Sequence, residues 1–285
     1  MLKAELFEDS EMLHAETLPV YKPMPVTHIP YILDETEDFA VIFKPPRMHC
    51  APLIAGGGGT LLDWYAGLFP HVMELCGRKK TEGGLLHRLD FETNGLVLFA
   101  KNQDSLDHLL EQQANGNFAK EYTAVCRKTM PDKTSAFPPP PVLPGFCTSW
   151  QGAFVIESYF RPFGPGSKQV RPVVDTSRKK VAKDQGGCYR TEVLSALGHP
   201  SRGGDSQKLF RFGVRLTRGF RHQVRCHLAW IGYPILNDPL YGSPGEEVPE
   251  GFLSLSANGL SFYDPGSGKP RKYRLVSLEL PANSM

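Results

Sequence analysis

The sequence predicts an α+β fold in which a largely antiparallel mixed sheet is flanked by helices and loops. Short apolar or alternating segments of strand length recur along the chain, and turn-forming residues separate them. Helical spacing of apolar residues appears in only a few segments, and these do not alternate regularly with the strands. A doubly wound parallel sheet requires that alternation, so it is not expected.

The first half of the chain predicts two strands and two helices. "DFAVIFK" is a β-prone segment that ends at Pro45, and the apolar run "GLVLFAK" predicts a buried strand. "TLLDWYAGLFPHVMEL" has helical spacing, with Thr60 as its N-cap. "SLDHLLEQQANG" predicts a helix that stops at Gly116.

The second half predicts further strands and one helix. "KEYTAVCR" alternates like a strand, and "KLFRFGVRL" predicts a half-buried strand with a cationic outer face. "RHQVRCHLAWIGYPI" predicts a helix that begins near Arg221 and stops near Gly232. The tail predicts strand, turn and strand, whereas the proline-rich "FPPPPVLPGF" predicts a linker or a loop insertion.

Composition is that of an ordinary globular chain. With 285 residues, 41% of them hydrophobic, the chain can bury a sizeable core in one large domain or two small ones. Its start lacks the pattern of a signal peptide, and no apolar run reaches about 18 residues, so we expect a cytoplasmic protein without a membrane span. Six cysteines without a CxxC pair predict reduced thiols.

Charge is distributed unevenly behind the net value of +2. Residues 1–40 carry two lysines against nine acids, whereas residues 161–225 carry fifteen Lys and Arg against four acids. The basic segment predicts a surface that faces a polyanion, and a solvated charged face is the alternative.

Two segments carry candidate chemistry. Asp90 stands between a turn-like "FETNG" and a buried strand, where a partly desolvated carboxylate needs a cationic partner; a structural turn cap is the alternative. A helix beginning at Arg221 would place Arg221 and Arg225 on one face, with one arginine near Asp90 and others facing phosphate. His222 and His227 are five residues apart, which does not fit a helical metal site, so no metal is expected.

Five ordered blocks resemble the RluA-type RNA pseudouridine synthases. "GGLLHRLDFETNGLVLFAKN" is similar to the family pattern HRLDxxTSGLxxxAK, "KEYTAV" to KxYxAxV, and "HQVRCHLAWIGYPILNDPLYG" to HQIRxHLxxxGxPIxGDxxYG. "ILDETEDFAVIFKPPRMHCAP" resembles the entry strand, and "LSLSANGLSFYDPGSGKP" resembles the family's usual ending. The likeness covers roughly residues 30–282.

The resemblance implies the pseudouridine synthase fold, with the active site in a central cleft. It also implies an acidic arm at residues 1–29 and a catalytic domain at residues 30–285, without the S4 domain of many members. The implied activity is isomerisation of uridine in structured RNA, ribosomal or transfer, after the base is flipped out. No cofactor or metal is implied, and we expect a monomer.

The resemblance also implies roles for individual residues. Asp90 matches the catalytic aspartate, which acts as nucleophile at C1′ or as base at C2′. Arg225 matches its basic partner, and Tyr122 matches the tyrosine that packs on the target base and assists proton removal at C5. Arg88 matches an arginine that fills the space left by the flipped nucleotide. The full set of implied RNA- or uracil-binding residues is His87, Arg88, Lys120, Arg221, His222, Gln223 and Val224.

Several positions depart from the family pattern. Phe220 stands where arginine is usual and Arg221 follows it, while Asn94 replaces Ser or Thr. The proline-rich stretch 137–144 and the lysine-rich stretch 178–183 have the character of altered loops that tune substrate choice.

Two other functions stay open on the sequence alone. An aspartate-dependent nucleoside or glycoside hydrolase would need a second carboxylate, and Asp90 and Glu92 share a face only in an extended segment. A non-catalytic RNA-binding protein would need the basic surface, but not Asp90, Tyr122 and Arg225 together.

Overall fold

The computed structural model describes residues 28–53, 56–129, 137–141, 149–174, 187–199, 209–242 and 251–275. All of these residues fall within one compact unit, Thr27–Val276. Residues 1–27 of the predicted arm, the lysine-rich stretch 178–183 and the end of the proline-rich stretch lie outside the described residues. The division of the chain after residue 29 therefore stays a prediction.

The described residues form ten strands and three α-helices. The strands are β1 (Tyr31–Glu35), β2 (Phe39–Lys44), β3 (Asn94–Ala100), β4 (Ala119–Arg127), β5 (Ser149–Phe163), β6 (Gln169–Val173), β7 (Tyr189–His199), β8 (Leu209–Leu216), β9 (Leu255–Tyr263) and β10 (Pro270–Arg274). The helices are α1 (Leu61–Leu68), α2 (Gln103–Ala114) and α3 (Gln223–Trp230).

The strands join one mixed sheet in the order β1-β2-β3-β9-β4-β8-β7-β5-β6, and β10 pairs with β9. Every neighbouring pair is antiparallel except β3 and β9, which run parallel. The predicted α+β class with a largely antiparallel mixed sheet is confirmed.

The parallel pair depends on a glycine. Gly95 lies opposite Ala257 in the β3–β9 register and has φ of +131°, in the region that L side chains rarely adopt. A Cβ atom at Gly95 would collide with the Ala257 backbone. Glycine therefore permits the close approach of these strands directly after the segment that carries Asp90.

Strand β3 is the buried strand that the apolar run predicts. Its residues after Asn94 are all buried, and it lies between β2 and β9.

Helix α1 begins at the predicted cap: Thr60 Oγ1 accepts from the Asp63 amide at 3.2 Å, and Asp63 Oδ2 accepts from the Thr60 amide at 2.9 Å. The helix is shorter than predicted, because it ends at Leu68 and Pro70 begins a 3₁₀ turn.

Strand β8 confirms the predicted half-buried strand, because buried and partly exposed residues alternate along it.

The predicted start of α3 is wrong by two residues. His222 has φ of +57°, so the chain turns before α3 begins at Gln223. Arg221 therefore does not share a helical face with Arg225.

Candidate active site

The segment that carries Asp90 is fixed by one buried lysine. Lys44, at the end of β2, donates through Nζ to the carbonyl oxygens of Pro45 at 2.7 Å, Met48 at 2.8 Å and Phe91 at 3.3 Å. The amide of Thr93 donates to the Asp90 carbonyl at 3.1 Å and closes a turn. Burial lowers the pKa of Lys44 to about 8. The loop after β2 and the Asp90 loop are thus joined through one side chain.

Asp90 faces a buried arginine that a second aspartate holds. Arg225 on α3 donates from Nη1 to Asp90 Oδ2 at 3.3 Å. It also donates from Nε to Asp238 Oδ2 at 2.8 Å and from Nη2 to Asp238 Oδ1 at 2.7 Å. This two-pronged geometry fixes the plane of the guanidinium. The predicted pairing of Asp90 with a distant arginine is present in the structure.

The exposure of the three side chains distinguishes their roles. The Asp90 side chain is 23% exposed, whereas Arg225 is 2% exposed and Asp238 is fully buried. Asp238 also accepts from the amides of Leu240 and Tyr241 at 2.9 and 3.1 Å, so its oxygens are well satisfied. Asp90 is the member of the group that a ligand can reach.

Arg225 keeps its charge despite its position. Burial acts to lower the pKa of Arg225, but the hydrogen bonds and the charge of Asp238, with the charge of Asp90, raise it overall. The guanidinium is therefore a permanent positive charge beside the Asp90 carboxylate.

His222 lies on the other side of Asp90. Its Nε2 is 4.0 Å from Asp90 Oδ1, and its Nδ1 is 3.2 Å from the Tyr241 hydroxyl. Burial lowers the pKa of His222; the Asp90 charge opposes this, and the Arg225 charge reinforces it. The imidazole is therefore neutral at neutral pH. It can form a hydrogen bond, but it does not add a second positive charge beside Asp90 to that of Arg225.

Tyr122 and Val224 belong to one hydrophobic cluster of buried residues. Burial is the main cause that raises the pKa of Tyr122, and the Asp90 charge adds to it. The phenol therefore stays protonated at neutral pH. The roles that the resemblance implies for these two residues, at the target base and in the uracil pocket, stay predictions.

Three polar side chains of the predicted RNA-binding set are also buried. Gln223 accepts from the Phe220 amide and donates to the Arg190 carbonyl and the Thr191 hydroxyl, each at 2.9 Å. His87 Nε2 accepts from the Leu98 amide at 3.2 Å, which ties the loop to β3, and burial lowers the pKa of His87 well below its usual range. Their internal partners make Gln223 and His87 supports of the site.

Lys120 is the third buried polar side chain of the predicted set. It is 7% exposed, and its Nζ lies 2.8 Å from the position that a Cβ atom on Gly219 would take. Burial, reinforced by the charge of Arg78, lowers the pKa of Lys120 to about 8. Gly219, which has no side chain, leaves the space that this ammonium occupies.

Arg88 and Arg221 are the exposed members of the predicted set. Arg88 is 55% exposed and its Nη1 is 3.1 Å from Glu82 Oε1. Arg221 donates through Nη2 to the carbonyls of Ser167 at 2.6 Å and Gln169 at 3.3 Å. The Arg88 side chain is therefore largely open to solvent, while Arg221 binds the turn before β6 and the first residue of that strand.

Phe220 has a packing role where the family pattern has arginine. Its ring is parallel to Phe160, with centroids 4.8 Å apart and 2° between the planes, and it also contacts Tyr189. The aromatic contact takes the place of a charge in the segment before α3.

Two residues of the site were missed by sequence reasoning. Asp238 stands in "NDPLYG", inside a block that matches the family, and Lys44 stands in the entry strand. Both positions were within matched blocks, but neither the spacing nor the residue type indicated that they support Arg225 and the Asp90 loop.

A cavity of about 550 Å³ opens beside these groups. It is lined by His49, Phe91, Glu92, Lys168, His222, Arg225, Pro239 and Leu240.

Among the described residues, no group of His, Cys, Asp and Glu has the arrangement of a metal site. Nor does any helix in the described ranges have the length and apolar character needed to cross a bilayer.

Comparison with known proteins identifies the class. The model of the RNA pseudouridylate synthase family matches residues 38–230. The chain belongs to this family, and the RluA-type assignment drawn from the motifs is confirmed.

Individual relatives agree with this assignment. An uncharacterized RNA pseudouridine synthase, YlyB of Bacillus subtilis, is 27% identical over 257 residues, which is 89% of this chain and 72% of the relative. Ribosomal large subunit pseudouridine synthase D of Haemophilus ducreyi is 26% identical over 227 residues, which is 79% of this chain and 57% of the relative.

Solved structures show the same fold. Human RNA Pseudouridylate Synthase Domain Containing 1 aligns with a TM-score of 0.60 at 18% identity, over 92% of this chain and 88% of that one. Human RNA Pseudouridylate Synthase Domain Containing 4 aligns with a TM-score of 0.54 at 17% identity, over 86% and 88%. The predicted pseudouridine synthase fold is confirmed.

Proposed function

We propose that this protein isomerises specific uridines in structured RNA to pseudouridine, with Asp90 as the catalytic residue. The observation that carries the proposal is the contact between Asp90, which a ligand can reach, and Arg225, which Asp238 holds in the interior. Family membership supports the reaction class, and this geometry supports Asp90 as the reactive group.

The reaction needs no oxidant or reductant. The C1′–N1 bond breaks, the uracil turns, C5 bonds to C1′, and a proton leaves C5 while N1 gains one. Asp90 acts either by bonding to C1′ or by removing a proton from C2′, and both roles require a carboxylate in its charged form. The permanent charge of Arg225 supports that form in a partly dry site.

The substrate has to leave its stack to reach Asp90. Arg88 is exposed two residues before Asp90, and its planar guanidinium is suited to occupy the space of a displaced base. The excess of basic residues at 161–225 supports contact with RNA phosphates. The names of relatives, one of them a ribosomal large subunit enzyme, favour ribosomal RNA, with transfer RNA as the second candidate.

A glycoside or nucleoside hydrolase is disfavoured by the state of the other carboxylates. Asp238 is fully buried and bound by two atoms of Arg225, so it cannot serve as a separate acid or base. Glu92, the other carboxylate that a hydrolase could use, is paired with a cation, since its Oε2 lies 3.8 Å from Arg47 Nε. A protein that only binds RNA would have no need for a buried arginine held against a reachable aspartate.

The test uses RNA labelled with tritium at uracil C5. Isomerisation releases tritium without free uracil, whereas a hydrolase would release free base. We expect Asp90→Asn to bind RNA as the wild type does and to lose turnover by at least about 1,000-fold, because an amide provides neither nucleophile nor base. The matched control is Asp107→Asn, a change of an exposed aspartate on α2.

The outcomes separate the candidates. Wild-type turnover in Asp90→Asn would remove Asp90 from the chemistry, and absence of tritium release from every RNA offered would leave a binding protein. Mapping pseudouridines in total RNA with and without the gene then identifies the target, since each lost site marks a substrate.

A further inference from the structure

We propose that His49 and Phe91 form a stacking platform for an unpaired RNA base that neighbours the target uridine. The inference rests on the proposed function for the identity of the target, but the platform itself is argued from the geometry of the two rings and of the cavity beside them.

The two rings pack against each other, tilted, at the edge of the site. Their centroids are 4.6 Å apart with 37° between the planes, and Phe91 directly follows Asp90. Phe91 is 39% exposed, although its loop borders a buried strand. A single exposed phenylalanine is unremarkable on a protein surface. Here, however, the exposed ring is paired with a second ring and borders a cavity.

The backbone next to both rings is held by hydrogen bonds within the protein. The Lys44 ammonium binds the Phe91 carbonyl and also the Met48 carbonyl, next to His49. The His49 carbonyl accepts from the Leu61 amide at 2.9 Å, which attaches this loop to α1. Anchoring this backbone reduces the conformational entropy that is lost when a base stacks on the rings.

The cavity connects the platform to the reactive carboxylate. His49 and Phe91 line it together with His222 and Arg225, and these last two residues contact Asp90. Its volume of about 550 Å³ lies within the range of small-ligand sites. A nucleotide on the platform would therefore occupy the same continuous space as the flipped uridine.

The charges around the cavity favour a nucleotide over an apolar ligand. Lys168, an exposed residue on the turn before β6, lines the cavity and supplies a cation for a phosphate group. Aromatic rings beside cationic side chains are the combination by which proteins bind unpaired nucleotides, since every base offers a face for stacking.

The first measurement isolates the base from its phosphate. In Phe91→Trp, we expect the indole emission to be quenched by heptauridylate but not by a chain of seven abasic ribose phosphates. The wild type, which contains three other tryptophans, provides the background signal. Equal changes with both oligomers, or no change beyond that background, would refute the platform.

The second measurement compares affinities. Phe91→Ala should raise the Kd for heptauridylate by about fivefold or more, as expected for the loss of one stacked base, and Phe91→Tyr should restore binding. The matched control is Tyr263→Ala, which removes an aromatic ring that is 40% exposed at the end of β9. An unchanged Kd in Phe91→Ala would overturn the proposal.

These outcomes are independent of the isomerisation test. If base-dependent quenching occurs but the wild type releases no tritium, the platform stands and the proposed reaction fails. If tritium is released while Phe91→Ala binds like the wild type, the reaction stands and the platform fails.

Discussion

At the scale of single residues, Arg225 is the group on which the site depends. It is buried together with Asp238, and burying a lone cation is far more costly than burying a paired one. Asp238 therefore both compensates the charge of Arg225 and sets the direction of the guanidinium toward Asp90. We class Asp238 as a positioning residue, since it acts through Arg225.

Replacing Asp238 tests this role. Asp238→Asn should lower kcat by about 100-fold with little change in KM, because a small displacement of Arg225 misplaces Asp90 without removing RNA contacts. It should also lower the free energy of unfolding by about 3 kcal/mol. Steady-state kinetics and chemical denaturation measure the two effects.

A double variant supplies the control for this prediction. For each variant, the fold loss in kcat converts to an increase in activation free energy. The increase for the double variant Asp238→Asn with Arg225→Met should be smaller than the sum of the two single increases, since both changes act through one contact. Additive losses would show that Asp238 acts on turnover by another route.

The residues of the site were predictable to different degrees. The pairing of Asp90 with a distant arginine follows from a physical rule, because a partly desolvated carboxylate needs a cation. Asp238 was not predicted, because its buried bidentate contact depends on how the loop after α3 folds back. Phe220 departs from the family pattern in the sequence itself, but its packing on Phe160 depends on the positions of β5 and β7.

At the scale of elements, strand β3 is the support of the Asp90 loop. It is buried along nearly its whole length, and its first residues pair with β9 through the contact at Gly95. The position of Asp90 is therefore coupled to the distance between two strands of the sheet.

A glycine substitution tests that coupling. Gly95→Ala should destabilise the protein by about 3 kcal/mol, because the added methyl group meets the Ala257 backbone and the residue has positive φ. Gly67→Ala is the control: it lies in α1 with open space around it and should be neutral or stabilise by up to about 1 kcal/mol. Thermal unfolding of both variants measures the difference; similar Tm values would contradict the role of Gly95.

The limits of the elements were less predictable than their existence. The strands at "GLVLFAK" and "KLFRFGVRL" follow from apolar patterning, which burial directly imposes. The start of α3 depends on the left-handed conformation of His222 and on the Gln223 side chain, which binds the Phe220 amide. The parallel β3–β9 pair joins segments far apart in the chain, and no local pattern specifies such a partner.

At the scale of the whole molecule, the buried ammonium of Lys120 couples stability to pH. Its pKa is about 8 in the folded protein against an ordinary value of 10.5, so the unfolded chain binds more protons between these values. The free energy of unfolding should therefore rise as the pH rises from about 8 to 10.5.

Removing the charge should reveal this contribution. Lys120→Met should be more stable than the wild type at pH 7, by about 1 to 3 kcal/mol, and the gain should shrink as the pH approaches 10.5. Denaturation at several pH values measures it. Lys269→Met, a change of an exposed lysine, should show no such trend, and a constant gain for Lys120→Met would argue against a titrating Lys120.

The parallel seam between β3 and β9 also bears on the order of folding. Strand β3 can pair with β2 early, because the two are joined by a modest length of chain, but its contact with β9 closes a loop that contains β4 to β8. Such distant pairing is slow, since loop-closure entropy is lost before the contact stabilises the fold. A nascent chain that has emerged only as far as α3 would therefore hold Asp90 and Arg225 without the β9 strand that pairs with β3 beside the Asp90 loop. Catalytic competence should arrive late in synthesis, as one of the last events of folding.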